Sequence, residues 1–206
     1  MDQNIVKAMA DLEEEKLFSL VNDAISANTP TVEIIAALQE GLAIVGNLFS
    51  EGEYFISELL LAAEVFQKCQ DLFGEEKAIE PIYGTFVLGT VEGDVHNIGK
   101  NIVHAVFESN GFSMLDLGVD VPPAKFIEAI KESDAKVIGL SCLLTTAFEA
   151  MKKTVDAIRE SGLADGRLII IGGGPVDESV LAYSGADAYA KDAQQGFFIA
   201  RDFVTE

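Results

Sequence analysis

The feature that most constrains this chain is a change of hydrophobic period along its length. Up to about Gly74 the apolar residues recur at helical spacing; beyond about Pro81 they gather into short runs separated by further helical patterns. A chain that switches period in this way holds two folding units, and its 206 residues, 49% of them apolar, suffice for two small cores or one large one.

In the first unit a short helical pattern near residues 2–9 precedes one over 11–27, with Leu12, Leu17, Leu20, Val21, Ala24 and Ile25 on one stripe. Asn28-Thr29-Pro30 breaks it, with Pro30 in the first turn of the next helix and Thr29 as its cap. That helix carries Ile34, Ile35, Leu38, Leu42, Val45 and Phe49; after a turn at 50–53, a last one carries Ile56, Leu59, Leu60, Ala63, Val65 and Phe66. The expectation is an antiparallel four-helix bundle over residues 1–78, followed by a polar connector at 74–81.

The second unit, 82–206, has apolar β-rich runs at 83–89, 112–117, 136–140, 168–171 and 186–190, with helical patterns near 98–110, 123–132, 145–161, 175–183 and 193–204. This alternation predicts an α/β fold: a Rossmann-like, flavodoxin-type sheet of five parallel strands with helices on both faces. Short, wholly apolar strands suit a sheet covered on both sides. Such sheets bind ligands beyond the carboxyl ends of their strands, so functional residues are expected just after Gly89, Leu140 and Ile171.

Charge narrows the partners. Thirty-four acidic against fourteen basic residues give −20, a surface that repels nucleic-acid backbones. No run approaches the roughly 20 uninterrupted apolar residues of a membrane span, and the acidic start is unlike a signal peptide. Cys69 and Cys142 form no Cys-x-x-Cys or bridge framework, and a cytoplasmic home is expected.

The loop after the first strand, Thr90 to Gly99, is long for a βα connection and holds His96, one of two histidines. Neutral imidazole is a common transition-metal ligand. Asp94, two residues earlier, can accept the imidazole's other N–H and so fix its tautomer and raise its basicity. Gly99 can let the chain pass close to a flat ligand. The same residues also suit a solvated loop in which Asp94 merely caps a helix. After the third strand, Ser141 and Thr145 offer small hydroxyls, or one of them caps the next helix; Cys142 reads as a buried small apolar residue. Gly172-Gly173-Gly174-Pro175 permits close backbone approach to a ligand or a tight turn into a helix begun by Pro175; it is neither a Walker loop nor a dinucleotide fingerprint. His104 reads as a packed or surface residue, without the convergent ligands of a zinc site.

Taken together, Asp94-x-His96-x-x-Gly99, Ser141-x-Leu143 and Gly172-Gly173 resemble the signature of the cobalamin-binding domain, as in cobalamin-dependent methionine synthase and the small corrinoid proteins of anaerobic methyltransferase systems. Residues 46–56, leading into Glu58-Leu59-Leu60-Leu61-Ala62-Ala63, resemble the helical cap of the same proteins, so the resemblance covers nearly the whole chain. It implies a corrinoid whose own base leaves cobalt and whose nucleotide tail enters a slot in the sheet unit. His96 would be the lower axial ligand, with Asp94 on its far nitrogen. The loop Gly93, Asp94, Val95, His96, Asn97, Ile98 and Gly99 would face the macrocycle. Ser141, Leu143, Thr145, Gly172, Gly173 and Ala193 would line the tail slot. Phe49 and Ile56 would cover the methyl-bearing face, although on spacing alone Phe49 is equally ordinary bundle core. The cap would swing away at 74–81.

The implied function is a methyl carrier, working between a substrate-specific methyltransferase and a second one that uses a folate, pterin or thiol acceptor, with a reductive activator. Nucleic acid and membrane are not expected partners. One position departs from methionine synthase: Ala147 stands where that enzyme extends its Asp-His pair with a serine. Other readings are a cobalamin sensor, which would call for a signalling domain; a mutase small subunit, which would have no helical cap; and a phosphoacceptor receiver, which would need an aspartate where Ser141 stands.

Overall fold

A computed structural model of the protein describes residues 2–73 and 82–206. The chain divides into two compact units, Met1–Glu80 and Pro81–Glu206. The hinge expected at 74–81 lies outside the described residues.

The first unit contains α1 (Gln3–Ala10), α2 (Glu14–Ser26), α3 (Thr31–Ser50) and α4 (Ile56–Asp71). Their apolar stripes meet in one core of Ile5, Met9, Leu17, Val21, Leu38, Val45, Leu59 and Phe66. Two local expectations are corrected. Leu12 is not in α2: it takes a left-handed φ of 55° in the turn after α1. Thr29 does not cap α3, whose N-cap is Pro30 with no side-chain hydrogen bond. By length and composition α3 is the one helix among the described residues that could cross a membrane. Glu33 and Glu40 interrupt it, and Ile34, Ile35, Leu38, Leu42 and Val45 are buried, as in the core helix of a bundle. The start of α4 is set by Glu58, whose Oε2 accepts the Phe55 N–H at 2.9 Å. Phe49 is half-buried, whereas Phe55, Ile56 and Leu60 are exposed, leaving an apolar face on this unit.

The second unit is a parallel sheet in the order β2-β1-β3-β4-β5, as expected: β1 (Thr85–Thr90), β2 (Ser113–Asp116), β3 (Val137–Ser141), β4 (Leu168–Gly172) and β5 (Ala188–Ala190). Side chains alternate across it. Val87, Ile138, Leu140, Ile169 and Ile171 pack with Phe126 of α6 (Pro123–Glu132), Met151 and Ile158 of α7 (Phe148–Glu160) and Val180 of α8 (Glu178–Ser184). On the opposite side Phe86 meets an aromatic cluster of Phe107 from α5 (Ile98–Ser109), Phe112, and Phe197 from α9 (Ala193–Thr205). β2, at the edge, is largely exposed rather than doubly covered. The helix expected from 145 opens as a single 3-10 turn, Thr145–Ala147, before α7. Pro175 does not begin α8; Asp177 caps it, accepting from Ser179 and Val180.

Register positions the site. Thr90 pairs with Ser141, Ser141 with Gly172 and Gly172 with Ala190, so four strands end at one level and their loops emerge side by side.

Candidate functional site

The loop between β1 and α5 is built around Asp94, which is fully buried. Its Oδ1 lies 2.7 Å from His96 Nδ1 and accepts the His96 backbone N–H at 3.0 Å. Its Oδ2 accepts the backbone N–H groups of Leu143 at 2.6 Å and Leu144 at 2.9 Å. Burial pushes this carboxyl upward, but the hydrogen bonds from the His96 and Leu144 amides, the His96 ring and the Leu143 amide outweigh it and hold Asp94 well below the usual carboxylate range. It is therefore an anion at neutral pH and fixes Nδ1 of His96 as the protonated nitrogen. The helix-capping alternative is set aside, because the N-cap of α5 is Asn97 and no side chain caps it.

The His96 side chain is 46% exposed, and its Nε2 has no hydrogen-bond partner among the described residues. The fully buried Thr90 donates its hydroxyl to the His96 carbonyl at 3.0 Å. Val95, Ile98, Leu143 and Leu144 are all exposed. Val95 and Ile98 flank His96 in the same loop, and Leu143 and Leu144 are bonded to Asp94 through their amides, so exposed apolar residues lie on both loops of the pair. A Cβ on Gly99 would touch nothing within 4 Å, so that position is open.

The other two loops are locked together. Gly173 has φ 139°, and a Cβ there would lie 1.9 Å from the Cys142 carbonyl oxygen, so only glycine permits this approach. Cys142 is buried, as expected; burial, reinforced by Asp94, pushes its thiol up to about 12. Ser141, Gly172 and Gly173 are half-buried at the common strand edge, while Thr145 is exposed and does not cap α7. Ala193 is buried in the first turn of α9.

Sequence reasoning missed several contributors. Beside Ala193, Gln194 is 1% exposed and its Nε2 has no partner among the described residues, an orphaned donor in the interior. The amides of Leu143 and Leu144 take the place of the missing hydroxyl: Ala147 is buried and Asp94 is satisfied by backbone instead. No local signal marks an amide that becomes a partner across 49 positions. His104 is half-buried, with Nδ1 3.3 Å from Asp116, and no metal-binding group of His, Cys, Asp and Glu occurs among the described residues.

An open imidazole nitrogen, exposed apolar residues on both loops, small residues at the strand edge and an orphaned interior donor fit a large planar ligand that carries a metal and a polar appendage. The arrangement lies at the carboxyl edge of a parallel sheet, where folds of this type take their ligands. Family models described as "B12 binding domain" match residues 84–197 and 1–72. The chain belongs to this B12-binding family and stands among the corrinoid proteins of methyltransferase systems. It is 35% identical to dimethylamine corrinoid protein 3 of Methanosarcina acetivorans, over 97% of this chain and 95% of that one. A cobalamin-binding protein from Desulfitobacterium hafniense superposes with a TM-score of 0.87 at 38% identity, covering 98% of each chain. A chain of the methanol:cobalamin methyltransferase complex of Methanosarcina barkeri superposes at 0.81 with 29% identity, over 98% of this chain and 78% of that one.

Proposed function

We propose that this protein carries a methyl group on a corrinoid between two methyltransferases, one specific for the methyl donor and one that serves an acceptor such as a folate, pterin or thiol. When bound, the corrinoid supplies a cobalt centre that takes up and releases the methyl group. The chain's residues bind, orient and shield it. His96 Nε2 would hold the cobalt. Asp94 keeps the imidazole in the right tautomer and makes it a better donor. Val95, Asn97, Ile98 and Gly99 bed the macrocycle, while Ser141, Leu143, Thr145, Gly172, Gly173 and Ala193 line the slot for its nucleotide tail, with Gln194 donating to a polar atom there. Phe49 and Ile56 of the helical unit would be the cap residues that shield the methyl group from water.

One observation carries this reading: Nε2 of His96 is presented free while Nδ1 is held by a buried carboxylate 2.7 Å away. The dimethylamine and methanol systems of the relatives favour a small methylated amine or alcohol as the donor. A reductive activator is expected wherever the cobalt is oxidised by accident. Anaerobic purification followed by a visible spectrum tests the reading. A bound corrinoid with its own base displaced supports it; a colourless protein that no corrinoid reconstitutes refutes it.

A further inference from the structure

The segment after β2 grips the His96 loop at its base. Asp120 Oδ1 accepts the Gly93 N–H at 2.7 Å, and the Asp120 N–H donates to the Asp94 carbonyl at 2.9 Å. One residue thus brackets the Gly93–Asp94 pair from which the Asp94 side chain projects. Around it the two loops continue the sheet beyond its named strands: Val91 and Val121 form a parallel bridge, the Thr90 N–H donates to Gly118 and the Val121 N–H to Thr90, both at 3.0 Å. The far end of the His96 loop is tied to the same segment. Lys100, in the first turn of α5 and 4% exposed, donates to Asp116 Oδ2, while Asp116 Oδ1 accepts the Gly118 N–H at 2.8 Å.

Residue 120 adopts φ 53°, a left-handed conformation that a side chain ordinarily avoids. Aspartate and asparagine tolerate it better than other residues with a side chain. Strain of this kind persists where the surroundings over-determine it. Here both the side chain and the main chain of residue 120 are committed to the neighbouring loop, and Gly93, with φ 83°, supplies the matching turn.

We propose that Asp120 is a positioning residue for the cobalt ligand, setting how far His96 reaches from the strand edge by fixing the backbone of Gly93 and Asp94. This rests on reading His96 as the lower ligand. A ligand atom must be held within about 0.5 Å of its productive place. The Asp94–His96 contact fixes the ring relative to Asp94; Asp94 is fixed relative to the sheet by its N–H to the Val91 carbonyl at 3.1 Å, by the Leu143 and Leu144 amides and by the Asp120 bracket, of which Asp120 alone holds both Gly93 and Asp94. The role needs an acceptor at the Oδ1 position, not a negative charge.

The full-length wild type and Asp120→Asn, Asp120→Ala and Asp120→Gly are each loaded with cobalamin and reduced to the cobalt(II) state. Paramagnetic resonance then reads splitting by an axial imidazole nitrogen, and titration reads cobalamin affinity. Wild type and Asp120→Asn should show the nitrogen splitting. Asp120→Ala and Asp120→Gly should lose it in most of the bound cobalamin and bind about tenfold more weakly, the worth of one hydrogen bond to an amide. Asp120→Gly accepts the left-handed backbone without strain, so it carries the test even where Asp120→Ala folds poorly. Full splitting in Asp120→Gly overturns the inference, as does its loss in a folded Asp120→Asn. Wild-type protein that binds cobalamin without any axial nitrogen overturns the reading of His96 itself, and the clamp with it.

Discussion

Asp94 accepts the backbone N–H of Leu143 at 2.6 Å, joining the loop after β1 to the loop after β3 across 49 positions of sequence. With the Leu144 amide and two contacts from His96, this makes a buried anion whose every neighbour in the network is a donor. Two backbone amides satisfy the carboxylate oxygen that faces away from the imidazole, and an amide, unlike a hydroxyl, does not pass a proton onward. In this protein the backbone amides of Leu143 and Leu144 stand where a third side-chain hydroxyl is absent.

Replacing Asp94 by Asn should destabilise the corrinoid-free protein by about 2 kcal/mol, because the new NH2 group must face the His96 or Leu143 donors and leaves buried groups unpaired. Urea midpoints measure this. The effect has a defined pH dependence. The folded carboxyl lies below its unfolded value of roughly 4, so its contribution is fully present above that pH and is lost as pH falls through the folded value. The gap between wild type and Asp94→Asn should therefore narrow below about pH 4. A gap that stays constant or widens on acidification would contradict the network described.

Removing the imidazole with His96→Ala should leave a folded protein that still takes up corrinoid through the tail slot. It should lack the axial-nitrogen signature and transfer methyl groups at least about tenfold more slowly, since tuning of the metal by its ligand is lost. Stopped-flow methyl transfer decides this. A variant as fast as wild type would remove His96 from the mechanism.

Gln194→Leu separates folding from binding. With its Nε2 unpartnered among the described residues, Gln194 is a liability in the corrinoid-free chain, so leucine should leave stability unchanged or raised by about 1 kcal/mol. Affinity for complete cobalamin should fall about tenfold, while that for cobinamide, which lacks the nucleotide, should not change. Parallel titrations check it; equal losses for both ligands would place Gln194 outside the tail slot.

Gly173→Ala tests the lock between the second and third loops. Its Cβ would fall 1.9 Å from the Cys142 carbonyl oxygen at a φ of 139°, and the loops must part to admit it. A loss of at least about 2 kcal/mol is expected, together with weaker corrinoid binding. Thermal unfolding with and without corrinoid measures both.

Periodicity alone was enough to separate the helical unit from the sheet unit and to place the five strands, because burying a stripe at period 3.6 or a wholly apolar short run leaves few alternatives. The contact between Asp94 and His96 was legible for a related reason: the two residues lie two apart in one loop and bond directly to each other. Leu12 and Thr29 were misplaced because helix ends are decided by local hydrogen bonding, which apolar spacing does not encode. What only the tertiary structure decided is everything that crosses between strands. The common register of Thr90, Ser141, Gly172 and Ala190 sets the three loops side by side. That register brings the amides of Leu143 and Leu144 onto Asp94, and the segment after β2 brings Asp120 onto Gly93. These contacts use main-chain groups that every residue possesses, so no side-chain pattern could announce them; sheet packing alone selects which amide meets which carboxylate.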